Sequence, residues 1–171
     1  MKHNSLFIIA GILSSFFISI SVFASNCSSQ LGQCSYYKCL NREMNCSSSN
    51  SQSNYLSEFA IPYCYKYKAD QKNYSERGQI FLSQVRYCLQ EKLEDFSHDQ
   101  PLCKDLRTYA IYSHIGCYLN SGFCELSMTE KMRIILTAKS DLIHGDVRKA
   151  GLETMKLCNQ SRFLTGFPGT Y

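Results

Sequence analysis

Apolar side chains recur at three- and four-residue steps from Ser75 to Phe96. Ile80, Phe81, Val85, Cys88, Leu89, Leu93 and Phe96 form the stripe, with Arg77, Arg86, Glu91, Lys92 and Glu94 between them. That period is the mark of a helix with one buried face. Ser97-His98-Asp99-Gln100-Pro101 breaks the pattern and predicts a turn. A second helix follows over Leu102 to Leu119, with Leu106, Tyr109, Ala110, Ile111 and Cys117 on its inner face, and Asn120-Ser121-Gly122 stops it. Ser127-Met128-Thr129-Glu130 has the capping-box form, and the helix after it is expected to bury Met132, Ile134, Ile135 and Leu136. His144-Gly145-Asp146 predicts a break with Asp146 as N-cap, then a last stripe of Val147, Ala150, Gly151, Thr154 and Cys158.

The earlier part of the chain is less regular. Gln30 to Leu40 reads as a short helix carrying Cys34 and Cys39, and Tyr55 to Lys68 as helical turns interrupted by Pro62. The serine run from Ser47 to Ser53 reads as a flexible loop, and Gln160 to Tyr171 as a loose tail. No alternation of apolar and polar residues lasts long enough for a strand. The expected fold class is therefore all-α, a small disulfide-rich domain of about five helices spanning residues 25–159.

Leu6 to Phe23 is almost continuously apolar, after a short polar start at Lys2 and His3 and before the small-residue exit at Val22-Phe23-Ala24. This is the layout of a secretory signal peptide over residues 1–24. The remainder carries seventeen Lys and Arg against fourteen Asp and Glu, a net +3, without a run of one sign. Nucleic-acid binding, which needs a clustered basic face, is excluded as the main role. No transmembrane span is expected once the signal is cleaved.

All ten cysteines lie after the signal. Export and an even count predict a disulfide framework. No Cys-x-x-Cys occurs, so neither a zinc site nor a thioredoxin-type redox pair is expected. Ten cysteines allow roughly 900 connectivities, and spacing alone does not choose among them.

The cysteine register resembles that of the stanniocalcin family. The resemblance rests on Leu31-x-x-Cys34-x4-Cys39-Leu40, on Cys64 followed by Tyr74, Gly78, Phe81 and Cys88, on Cys103-x13-Cys117-Tyr118-x5-Cys124, and on Leu157-Cys158. It covers roughly Cys27 to Cys158. It implies an α-helical domain with the pairs Cys27–Cys39, Cys34–Cys64, Cys46–Cys103, Cys88–Cys117 and Cys124–Cys158. It also implies a secreted, hormone-like glycoprotein, from a family linked to calcium and phosphate balance and to inhibition of extracellular metalloproteinases. Such a protein acts by contact with an extracellular protein partner, a receptor or protease, and without catalysis. Family members carry an eleventh cysteine that links two chains. This sequence holds none, so no disulfide-linked dimer is expected, and its serine-rich insert between Cys46 and Cys64 is longer than the family's loop. An exported effector or protease inhibitor on the same scaffold is the alternative. The expected location is extracellular, or periplasmic for a bacterial source.

Other candidate chemistry is sparse. His98-Asp99 superficially resembles the pair of secreted phospholipases A2, which would make the chain a small calcium-dependent hydrolase, but Asp95-Phe96-Ser97 stands where that site needs adjacent cysteines. Glu91, Glu94, Asp95 and Asp99 read as a solvated acidic face rather than a calcium loop. His114 and His144 have no histidine partner at ligand spacing. No catalytic residue, cofactor or metal ligand is therefore expected. Four Asn-x-Ser patterns occur, at Asn26, Asn45, Asn73 and Asn159; the first two have cysteine in the middle, leaving Asn73 and Asn159 as possible glycosylation sites.

Overall fold

In the computed structural model, the described residues are 27–45, 55–98 and 103–165. Among them there are six α-helices and no strand. The helices are α1 (Ser35–Met44), α2 (Ile61–Asp70), α3 (Glu76–His98), α4 (Cys103–Asn120), α5 (Met128–Thr137) and α6 (Gly145–Thr165). The signal peptide, the serine run, Cys46, Asn26 and Asp99 lie outside the described residues, and so does the Cys46–Cys103 pair.

Several boundaries differ from the sequence reading, each for a local reason. The first helix begins at Ser35, not Gln30, because Gly32 takes a left-handed backbone (φ +83°) that ends the preceding short turn. Before α2, Tyr55–Ala60 forms a π-helical turn, and Pro62 sits in the first turn of α2. Proline has no N–H to donate, so the backbone ahead of it is released from regular α-helical bonding. At the other end, Gln160 to Thr165 continues α6 rather than forming a loose tail. Gly166 is the first helix breaker after Cys158.

Among the described residues, four disulfides knit the helices. Cys27–Cys39 and Cys34–Cys64 fasten the N-terminal turn and α1 to each other and to α2, Cys88–Cys117 joins α3 to α4, and Cys124–Cys158 ties α6 to the loop before α5. These are four of the five pairs that the family resemblance implies. Cys103 is also disulfide-bonded, and no described cysteine is a free thiol.

The core has two parts. Tyr36, Leu40, Leu56, Leu93 and Leu106 anchor one, beneath the N-terminal disulfides. Phe81, Leu82, Val85, Phe123 and Ile134 anchor the other, beside Cys117 and Cys158. Tyr67 packs against both.

Polar residues position the helices. On α3, Arg86, Gln90 and Glu94 fall four residues apart and therefore share one face. Arg86 Nε donates to Gly32 O at 2.8 Å, and Gln90 Nε2 to Gln33 O at 2.8 Å. Gln90 Oε1 accepts from Gly32 N at 2.6 Å, and Glu94 Oε2 accepts from Tyr36 Oη at 2.9 Å. Gln90 has no exposed surface, and Glu94 is buried rather than solvated, whereas Glu91 and Asp95 are exposed as expected. Between α4 and α6, Arg107 forms a two-point pair with Asp146, at 2.9 and 3.3 Å. Burial disfavours the Asp146 anion, but bonds from Arg107 and the Val147 N–H outweigh it and lower the pKa.

The helix after Ser127 is turned from its expected orientation. Its capping box is formed, but Lys131 and Ile134 are buried while Met132 and Leu136 face out with Met128. Lys131 holds Nζ 5.6 Å from the centre of the Phe123 ring and donates from it to Cys124 O at 2.7 Å. A lysine that finds such a carbonyl can occupy an inward position that hydropathy assigns to methionine. Ile80 on α3 is likewise half exposed.

Glu130 serves two helix starts at once. Its Oε2 accepts from Ser127, and its Oε1 accepts from Ser75 N and Oγ at 3.0 and 2.7 Å. Gly78 makes room for it, since a Cβ there would collide with Glu130 Oε1 and lie 2.9 Å from Tyr74 Cβ. The bond from the Ser75 side chain is the main reason that the Glu130 pKa is lowered. A folded-state pKa below the unfolded value stabilises fully above about pH 4.3, and that contribution disappears as pH falls through the folded value. Glu130→Gln is therefore expected to lose about 1 kcal/mol at neutral pH, with the gap to the parent closing in acid. Urea unfolding of both proteins across that range checks it; a gap that does not narrow as pH falls contradicts the assignment.

Candidate functional site

The two core parts do not close on each other. Between them lies a cavity of about 360 Å³, within the range of roughly 300–1,000 Å³ usual for small-molecule sites. One wall is a ladder of rings on the π-turn and α2. Tyr55, Phe59, Tyr63 and Tyr67 follow at four-residue steps, with centroids 5.3, 4.7 and 6.4 Å apart. The opposing walls come from Leu82, Val85 and Leu89 on α3 and Ile111, His114 and Tyr118 on α4. Ile134 on α5 and Ala150 and Met155 on α6 complete it. The exposed residues Arg148, Gly151 and Leu152 also line it, so the cavity reaches the surface along α6.

Most polar groups of the wall are engaged within the protein. Tyr67 Oη donates to Ile134 O at 2.8 Å, and Thr154 Oγ1 to Ala150 O at 2.9 Å. Tyr63 Oη donates to Asp141 and also meets Ser140 Oγ. His114 Nδ1 lies 2.8 Å from Ala110 O. A carbonyl only accepts, so Nδ1 carries the proton, and burial lowers the His114 pKa. Burial likewise raises the pKa of Tyr37, Tyr55 and Tyr118, whose phenols stay neutral. The surroundings are therefore apolar and mainly aromatic, with one half-buried cation, Arg86.

An enclosed apolar cavity costs about 24 cal/mol per Å³, and this space, which opens to the surface along α6, carries only a part of that cost. Larger side chains at Ala150 or Val85 would reduce it, yet the chain holds small ones there. A bound apolar molecule would fill this space.

Among the described residues, the others singled out in the sequence do not gather into a second site. His98 ends α3, while Glu91 and Asp95 lie on its exposed side. His144 is exposed at the turn before α6, and only His114 reaches the cavity. Among the described residues the one close group of three metal-ligand types is Cys27, Cys39 and Glu43, and its two sulfurs are joined to each other. A disulfide offers no thiolate to a metal. Asn73 is exposed at the turn into α3, its amide donating to Asp70 at 2.5 Å; Asn159 is exposed within α6.

No helix of the described residues is long and apolar enough to cross a membrane. Compared with family models, curated proteins and solved structures, the chain matches none of them.

Proposed function

We propose that this chain is an exported, stanniocalcin-like binding protein that acts through contact with an extracellular protein, a receptor or protease, rather than through catalysis. The observation that carries the reading is the disulfide pairing. Cys27–Cys39, Cys34–Cys64, Cys88–Cys117 and Cys124–Cys158 follow the family's order, out of roughly 900 arrangements open to ten cysteines. Several disulfides in one small domain also favour an oxidising compartment, which agrees with the signal-like start. The two sequons at Asn73 and Asn159 are exposed, as a glycoprotein requires.

The test follows from both parts of the reading. Expressed from residue 1 in a secretory host, the protein is expected in the medium, beginning at Ser25, with no thiol titrating in the denatured, unreduced chain. The same material is expected to co-elute with an extracellular metalloproteinase and slow its turnover, and to lose both properties on reduction. Two or more free thiols per chain overturn the scaffold. Intact scaffold without protease binding moves the role to an exported effector with another partner. Hydrolysis of lipid or peptide that His98→Ala abolishes would overturn the non-catalytic reading.

A further inference from the structure

We propose that the central cavity is a binding site for one fatty acid of about fourteen carbons, with its chain against the ring ladder and its carboxylate on Arg86. This site is separate from any protein-contact role and does not rest on it.

Size sets the chain length. An apolar cavity of roughly 150 Å³ takes up a six-carbon ring, so about 360 Å³ accommodates on the order of fourteen carbons. Wall chemistry sets the class. Tyr55, Phe59 and Tyr63 stack at one side, and Leu82, Val85 and Ile111 face from the helices beyond. Tyr63, Tyr67, His114 and Thr154 bond within the protein, which leaves little to recognise a polyhydroxylated or strongly polar ligand.

Charge sets the head group. The wall includes no aspartate or glutamate, and its charged residues are Arg86 and Arg148. Arg148 is exposed and hydrated. Arg86 is half-buried, its Nε engaged by Gly32 O, and no carboxylate pairs with it among the described residues. A desolvated guanidinium is most easily compensated by an anion that accepts from its remaining N–H groups. Burial correspondingly lowers the Arg86 pKa. A carboxylate would reverse that penalty. A cationic amphiphile would add to it, and an alcohol would leave it unchanged.

The experiment uses the delipidated, oxidised full chain and the fluorescent fatty acid cis-parinaric acid. One saturable site per chain is expected. Tetradecanoate is expected to displace the probe at concentrations at least about tenfold lower than tetradecanol, because a charged hydrogen bond separates the two. Arg86→Gln should abolish that preference, while Arg148→Gln changes it by less than about twofold. Gly151→Trp, at a wall position where an added Cβ meets nothing within 4 Å, should abolish binding of both ligands with far-UV circular dichroism unchanged. Equal affinity for acid and alcohol, or a preference that survives Arg86→Gln, overturns the head-group assignment. Absence of saturable displacement in the parent chain, or binding that a folded Gly151→Trp retains, overturns the site. Because the ligand comparison is made on the parent chain, a variant that fails to fold does not remove the test.

Discussion

The Cys88→Ala/Cys117→Ala variant is expected to unfold about 3.5 kcal/mol more easily than the parent protein, with a melting temperature about 10 °C lower. The bridge closes a sequence separation of 29 and staples α3 to α4, both of which line the cavity. Its main effect is to remove extended conformations from the unfolded chain, and the benefit grows with the logarithm of the loop. Cys117 is also buried, so losing its sulfur leaves a small void in the second core part. The Cys27–Cys39 bridge closes a separation of only 12 and lies at one end of the fold. Its removal is expected to cost about 2.9 kcal/mol by the same relation. Guanidinium unfolding of the two paired-alanine variants measures both. A Cys88/Cys117 loss below about 1 kcal/mol, or the reverse order, would show that native-state strain rather than loop closure dominates.

The second large effect is expected at Gln90. Replacement by leucine, similar in size, should destabilise the protein by about 2 kcal/mol although it adds an apolar residue to a site with no exposed surface. Gln90 is the partner of two backbone groups on another segment, Gly32 N–H and Gln33 C=O. Gly32 N–H would be left without a bond, which costs about 1–3 kcal/mol, while Gln33 C=O would keep the Tyr36 N–H at 3.2 Å. Leucine contributes burial of its own, which offsets part of the loss. The informative comparison is Gln90→Glu, which keeps the acceptor for Gly32 and loses the donor to Gln33. It should fall between the parent and Gln90→Leu in urea unfolding. A Gln90→Leu variant as stable as the parent would mean that the N-terminal turn finds other partners, and that the polar face of α3 does not position it.

Much of the fold was legible because it depends on local spacing. The Ser75–Phe96 and Leu102–Leu119 stripes announce α3 and α4, and the Ser127–Glu130 pattern announces the start of α5. The orientation of α5 was not legible. Hydropathy places Met132 and Leu136 inside, but the carbonyl of Cys124 and the ring of Phe123 draw Lys131 inward instead. Those partners lie on the preceding turn, whose path periodicity does not specify. Glu94 was misplaced for a related reason. It reads as one of several acids on a solvated face, but Tyr36, 58 residues earlier, makes it a buried acceptor.

The candidate site was less legible than the fold. The aromatic content of Tyr55 to Lys68 was plain, but a ladder of rings is more often core than cavity wall. His114 and Arg86 carry no motif. What makes them neighbours of one void is the way α3, α4 and α6, held to one another and to the turn before α5 by Cys88–Cys117, Cys124–Cys158 and the pair Arg107–Asp146, stand beside the ring ladder.

By itself, then, the order of residues determined the helical class, the element sequence and the oxidised state of the cysteines. These follow from short-range periodicity, from breakers, and from an even count behind a signal-like start. Only the folded chain decided which polar side chains are buried, which face of α5 looks inward, and that an apolar space remains at the centre. Those outcomes depend on contacts between residues tens of positions apart, and whether distant surfaces meet or leave a gap is a property of packing that no local pattern encodes.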